Sequence, residues 1–419
     1  MPSQAARAAV ITTGDELLRG FVADANTRTI ARDLRADGIE LQRAQTCADD
    51  QPAIEAAIRA TDEELVVLTG GLGPTHDDRT AAAVAAALDL PLERDPEVVR
   101  VVEGRIRDLA AGRGTDPGPL MVGVEKQATL PAGAVALEPA GTAPGFIVEA
   151  GGRLNVVLPG PPGEMVHAWR QVRAHPAYRA LAGRAAGHVE QVLRTWDIPE
   201  ARVAGLLEQL GHEDGEGCRV TLCAREGELE VSIRGADARL VEERTDGLAR
   251  LLGDHVFARD EQPVAARVGR MLAERGLVAG CVESVTGGRV ASLMAAVPGA
   301  SRWFGAGIIA YRTPAKHDLL GIDGALLARH GAVSAECAAA LSAAMVATGT
   351  VDVAVSVVGY AGPADQHDRH PVGTVFVAVH GPGGRHDVLR RWIPGERAAV
   401  QERAAVAALH VLRRHLDGC

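Results

Sequence analysis

The chain has 419 residues, more than one ordinary core accommodates, so two or three domains are expected. Hydrophobic residues make up 47% and aromatics only 3%, so the cores must be built from Ala, Val and Leu, which favours tightly packed α/β layers. A net charge of -10 with no Lys/Arg cluster excludes the basic footprint that a DNA or RNA backbone demands.

Residues 8–12 read as a short apolar strand that runs into Thr13-Gly14-Asp15-Glu16-Leu17, and residues 26–36 carry a helical pattern. A helix over 52–61 and a strand over 64–68 follow, and the strand ends in Thr69-Gly70-Gly71-Leu72-Gly73-Pro74-Thr75-His76-Asp77-Asp78. Glycines at the C-terminal end of a strand let backbone amides approach a phosphate, and Asp77 and Asp78 can hold a hard divalent cation beside it. The loop lacks the lysine of a Walker loop and the GxGxxG spacing of a dinucleotide turn. A plain turn with a solvated acidic pair is the competing reading. Gly141-Thr142-Ala143-Pro144-Gly145-Phe146, a strand over 154–158, and Pro159-Gly160-Pro161-Pro162-Gly163-Glu164-Met165 then repeat the theme of polar loops after strands. Several such loops at one sheet edge build one pocket.

Gly14 to Leu17 and residues 68–78, 141–145 and 158–165, in that order and spacing, resemble the N-terminal, molybdopterin-binding-like domain of the CinA (competence/damage-inducible protein A) family. The resemblance implies a three-layer α/β domain over residues 1–185 that carries, in characterised relatives, a metal-dependent ADP-ribose pyrophosphatase. It makes Glu16, Asp77 and Asp78 the candidate ligands of a divalent metal ion, with Asn26 and Glu164 as further metal or nucleotide contacts. Gly70, Gly71, Gly73, Thr75 and Thr142 become substrate contacts. Hydrolysis and simple pterin binding both stay open.

Helical segments rich in Arg and Ala over 164–186 lead out of this domain. Residues 189–196 alternate like a strand, 199–210 form a helix opened by proline, and 211–217 are a polar loop. Residues 218–224 and 228–234 alternate around Arg225-Glu226-Gly227 as a hairpin, and a helix covers 238–252. Residues 186–259 therefore form a small α+β module. CinA relatives have a KH-like domain here, but the basic GxxG loop of RNA-binding KH domains is missing, which leaves a spacer or homodimerisation role.

The last domain, 260–419, opens with a helix over 264–275. The apolar run 276–282 reads as a buried strand and 290–296 as a helix, so Ser284-Val285-Thr286-Gly287-Gly288 is a strand-to-helix turn. The first amides of such a helix are free and can hold an anion or a developing oxyanion. A strand over 307–310 leads to Tyr311-Arg312-Thr313-Pro314-Ala315-Lys316. Of the 44 cationic side chains only Lys126 and Lys316 are lysine. Arginine cannot give up its proton, whereas a partly buried lysine can act as a base, so a lysine here needs an explanation. The alternative is an ordinary surface residue. A helix over 334–348, a central strand over 351–358, strands over 373–379 and 387–392, and a helix over 396–416 complete the chain.

Residues 282–288, 310–316, 361–363 and 371–375 resemble the C-terminal domain of the CinA family, the nicotinamide-nucleotide amidohydrolase. The resemblance implies hydrolysis of nicotinamide mononucleotide to nicotinate mononucleotide and ammonia, without a cofactor. Ser284 becomes the nucleophile, Tyr311 and Lys316 its activating partners, and Thr286, Gly287, Gly288, Gly359 and Arg397 substrate contacts. The chain departs from the family where Val357-Val358-Gly359 replaces Val-Thr-Gly, and in Ala364-Asp365-Gln366-His367-Asp368-Arg369-His370. Loss of a hydroxyl donor at the site is expected to slow the reaction roughly 10- to 1,000-fold.

Six cysteines without a CxxC pair, no signal-peptide pattern and no run of roughly 20 apolar residues point to a soluble protein of a reducing cytoplasm. The leading expectation is a two-site hydrolase of pyridine-nucleotide salvage that takes small nucleotides and neither nucleic acid nor membrane. A non-catalytic pterin- or nucleotide-binding protein with a degenerate C-terminal domain is the rival.

Overall fold

Every residue of the strand Leu65–Thr69 is buried, and neighbours enter different cores. Val66 and Leu68 join Ile11, Ile54 and Val102, whereas Leu65 and Val67 join Val10, Ile30 and Trp169. Side chains alternate along a strand, so this one must lie inside a sheet covered on both faces. The computed structural model describes residues 5–184, 189–211, 217–225, 227–363 and 370–418. It places the strand third in a six-stranded sheet of order Glu40–Cys47, Arg7–Thr13, Leu65–Thr69, Arg153–Leu158, Phe146–Ala150, Val135–Ala136. The first four run parallel, and Phe146–Ala150 pairs antiparallel with both of its neighbours. Parallel pairing brings the ends of three strands, and the loops after Thr13, Thr69 and Leu158, to one edge.

Two strands of this sheet escape a search for apolar runs. Glu40–Cys47 is a half-exposed edge strand whose apolar residues are broken up by polar ones, and Phe146–Ala150 begins where the sequence suggested only a loop. Residues 79–140, on which the sequence reading placed no element, hold the helices Thr80–Ala87 and Pro96–Arg113. Asp95 caps the second by accepting the amides of Glu97 and Val98, and Pro96 supplies the preset first φ.

The chain divides into two compact units, 1–188 and 189–419. The expected boundary at 185 falls among residues outside the described set, as do residue 226 of the hairpin turn and most of the 211–217 loop. The expected junction near 260 lies within the second unit. That unit holds a four-stranded antiparallel sheet, Cys218–Arg225, Glu228–Gly235, Val189–Trp196, Val256–Ala258. It also holds a five-stranded sheet, Phe304–Ile309, Ala279–Glu283, Val353–Gly359, Thr374–His380, His386–Trp392. In the central strand Val353, Val355 and Val357 enter one core, and Ala354 and Val358 enter the other. The helix Ala335–Ala347 covers one face and the helix Arg397–Asp417 the other, which makes three layers. Trp196 and Phe257, from the smaller sheet, belong to the same core as the C-terminal helix. Among the described residues no helix is long and apolar enough to cross a membrane.

Candidate functional site

In the second unit, the strand Ala279–Glu283 pairs in parallel with Phe304–Ile309 and Val353–Gly359, and Glu283 stands opposite Ile309 and Val357. The residues that follow each strand therefore meet at one edge. Ser284, Val285, Tyr311, Lys316, Arg397 and the segment 359–363 line a cavity of about 540 Å³ there. Lys316 sits on the helix Thr313–Leu320, which has Pro314 in its first turn and was not recognised in the sequence. Its side chain is 1% exposed. The ammonium donates to Ser284 Oγ at 3.2 Å and to the carbonyl of Ala310 at 2.8 Å. Burial lowers its pKa from the usual lysine value, because charge is disfavoured away from water.

The phenol of Tyr311 does not bridge serine and lysine. It is half-exposed and accepts from Arg397, while the Ser284 hydroxyl donates to the Tyr311 carbonyl at 3.4 Å. Arg397, the first residue of the C-terminal helix, also donates to the Gly362 carbonyl at 2.8 Å. Tyr311 and Arg397 thus form a polar, partly exposed stretch of the cavity wall.

The expected free amides at the helix start are mostly occupied. The buried Glu283 carboxylate accepts from Gly288 at 2.9 Å, Val290 at 3.1 Å and Ala291 at 2.8 Å, while the Gly287 amide donates to the Ser284 carbonyl. A carboxylate directly before the serine satisfies the orphan donors and the positive end of the helix at once. Gly287 and Gly288 offer no free donor here. Among the described residues only the amides of Val285 and Thr286 in this turn meet no acceptor. The Thr286 side chain is fully buried, with its hydroxyl unpartnered, and it does not line the cavity.

Val358 also stands elsewhere than the sequence comparison suggested. Its side chain is fully buried in the apolar cluster of Val282, Ala310 and Phe376, and the cavity wall takes up only at Gly359. The altered stretch 364–369 lies outside the described residues.

In the first unit, Glu16, Asn26, Gly70, Gly71, Gly73, Thr75, Asp77, Asp78, Thr142 and Glu164 all line one cavity of about 560 Å³. Gly70 has φ +105°, and a Cβ there would lie 2.6 Å from the Thr13 carbonyl oxygen, so only glycine lets the two loops approach. Asp49, after the missed edge strand, lines the same cavity and went unnoticed in the sequence for that reason. Burial raises the pKa of Asp49, and of Glu164, where Arg105 opposes the effect.

Thr75 organises the acidic end of the glycine loop. Its amide donates to Asp78 at 2.8 Å, and its hydroxyl bonds to both Asp77 and Asp78. Lys126, the other lysine of the chain, donates to the Thr75 carbonyl, so each lysine serves a cavity loop. Asn26 donates to the Gly160 carbonyl at 2.8 Å, which leaves its buried Oδ1 without a partner. Glu16, Asp77 and Asp78 have the oxygen chemistry a hard cation takes, yet among the described residues no three acidic, His or Cys side chains converge to hold one. They line one space without forming a ready cage.

Comparison with known proteins covers nearly the whole chain. Residues 9–178 match the family described as "Probable molybdopterin binding domain" and residues 261–416 the "CinA C-terminal domain". A CinA-like protein of Mycobacterium marinum is 36% identical over 98% of this chain and 99% of its own length. One from Mycolicibacterium gilvum is 36% identical over 99% of each chain. Among solved structures, a CinA protein of Thermoplasma acidophilum is 32% identical and covers 40% of this chain and 97% of its own, with a TM-score of 0.36.

Proposed function

Because the chain belongs to the CinA family, we propose that its second unit is an amide hydrolase that converts nicotinamide mononucleotide to nicotinate mononucleotide and ammonia. The observation that carries this reading is the 3.2 Å contact between the buried Lys316 ammonium and Ser284 Oγ. Burial favours the neutral form of Lys316, and in that form it takes the proton of Ser284 as Oγ attacks the carboxamide carbon. The C=O bond becomes an oxyanion, which the free amide of Val285, a residue of the cavity wall, stabilises. Collapse breaks the C–N bond, and the proton held by Lys316 leaves with ammonia. Water then cleaves the ester, passing its own proton through Lys316, and restores the serine. The Tyr311 and Arg397 rim supplies a cationic contact for the substrate phosphate. Release of ammonia from nicotinamide mononucleotide by the pure protein, absent in Ser284→Ala, tests this; an inert wild type overturns it. The rival of a degenerate domain drew its support from Val358, which belongs to the core.

For the first unit we propose a phosphate-bearing nucleotide as ligand, with ADP-ribose pyrophosphate cleavage as its reaction. The glycine loop and the flanking carboxylates of one cavity support this. A divalent cation is proposed to arrive with the pyrophosphate. The reading includes a cytoplasmic location and a homodimer, and a monomeric mass by light scattering would correct the latter.

A further inference from the structure

The C-terminal helix Arg397–Asp417 touches three parts of the second unit that the hydrolase reading leaves unconnected. Arg397 binds the rim of the cavity. One turn later the buried Gln401 donates from Nε2 to the carbonyl oxygen of Val285 at 2.8 Å. The spacing of four residues puts both side chains on one helix face. Further along, His410 is completely buried, with its ring stacked on Trp196 at 4.5 Å between centroids, and its Nε2 lies 2.8 Å from Glu228. Glu228 also accepts from Arg194, which in turn donates to the Glu261 carbonyl at 3.1 Å. Trp196, Arg194 and Glu228 all lie on the four-stranded sheet of residues 189–258.

The Gln401 contact has a specific consequence for the serine turn. The Val285 carbonyl and the Thr286 amide belong to one planar peptide, in which C=O and N–H point in opposite directions. Holding that carbonyl therefore fixes the 285–286 peptide, and with it the conformation of Val285, whose free amide follows Ser284 at the cavity wall. Glu283 anchors the other side of the turn through the three helix amides, so Gln401 is the side chain that holds the 285–286 peptide itself.

We propose that Gln401 is the positioning residue of the Ser284 turn, and that the module of residues 189–258 sets its placement by gripping the same helix at His410. The module is then part of the hydrolase rather than a spacer. This rests on reading the Ser284 site as a hydrolase. His410 supports a rigid grip: burial pushes its pKa down to about 4, so near neutral pH it is an uncharged donor to Glu228, which keeps Arg194 as its cationic partner.

The test uses the full chain with nicotinamide mononucleotide and compares Gln401→Leu, Glu228→Gln and the double variant, each with its melting temperature. Gln401→Leu is expected to lower kcat roughly 10- to 100-fold with KM within about threefold, as for an oxyanion donor lost only in the transition state. Glu228→Gln keeps the shape of the cluster and is expected to lower kcat about threefold or more. The double variant should fall no further than Gln401→Leu alone, because both act through one route. An unchanged kcat in either single variant, or a double variant equal to the product of the singles, overturns the proposal. If wild type releases no ammonia, the hydrolase reading fails, and the positioning claim is then judged on labelling of Ser284 by a fluorophosphonate: slower labelling in Gln401→Leu upholds it, and equal or absent labelling overturns it.

Discussion

Lys316 Nζ stands 3.2 Å from Ser284 Oγ and 2.8 Å from the Ala310 carbonyl, in a site that admits almost no water to the lysine. Burial lowers the pKa while the serine hydroxyl lies within proton-transfer distance. Lys316→Arg keeps the charge and cannot accept a proton, so ammonia release should fall by roughly 100-fold or more with the melting temperature little changed. A purely electrostatic role predicts a shift mainly in KM. Retention of more than about a tenth of wild-type kcat would sink the proton-acceptor role.

The same shift sets the pH profile. The active form of Lys316 is the neutral one, so kcat/KM should rise with pH and be lost as pH falls through the lysine pKa of the folded protein. Because burial lowers that pKa, the rising limb should lie below the ordinary lysine range. A rate profile whose limb sits at or above the usual lysine value contradicts the assignment.

Val358 invites a test of restoration. Placing threonine there would bury a hydroxyl among Val282, Ala310 and Phe376, at a cost of about 1–3 kcal/mol. Val358→Thr should therefore lower the melting temperature and leave kcat within about threefold of wild type, far less than the roughly 10-fold or greater change of an oxyanion donor. A kcat gain of 10-fold or more would show that the hydroxyl belongs to the reaction.

In the first unit, Asp78 accepts both the amide and the hydroxyl of Thr75, and thereby shapes the end of the glycine loop as well as presenting a carboxylate to the cavity. ADP-ribose cleavage, followed as AMP release, should need an added divalent cation and disappear in Asp78→Ala. Full turnover in excess chelator would remove the cation from the mechanism, and a fully active Asp78→Ala would remove the residue.

The sequence alone determined those features that depend on local pattern. Apolar runs located the central strands, Pro263 preceded the helix Val264–Arg275, and the two lysines in an arginine-rich chain directed attention to Lys316. The glycine loop and the carboxylates of the first unit were legible because such loops follow strands, and parallel pairing gathers strand ends at one edge. Tertiary structure decided what depends on direction and on distant partners. Whether a side chain at 358 meets the cavity or the core turns on which face of the sheet it enters, and sequence comparison cannot supply that face. Glu283 capping the helix that follows, Gln401 holding the Val285 carbonyl from 116 residues away, and His410 joining Glu228 across 182 residues all arise from packing. Spacing in a chain records short-range geometry, and hydrogen bonds that close long loops leave no periodicity to read.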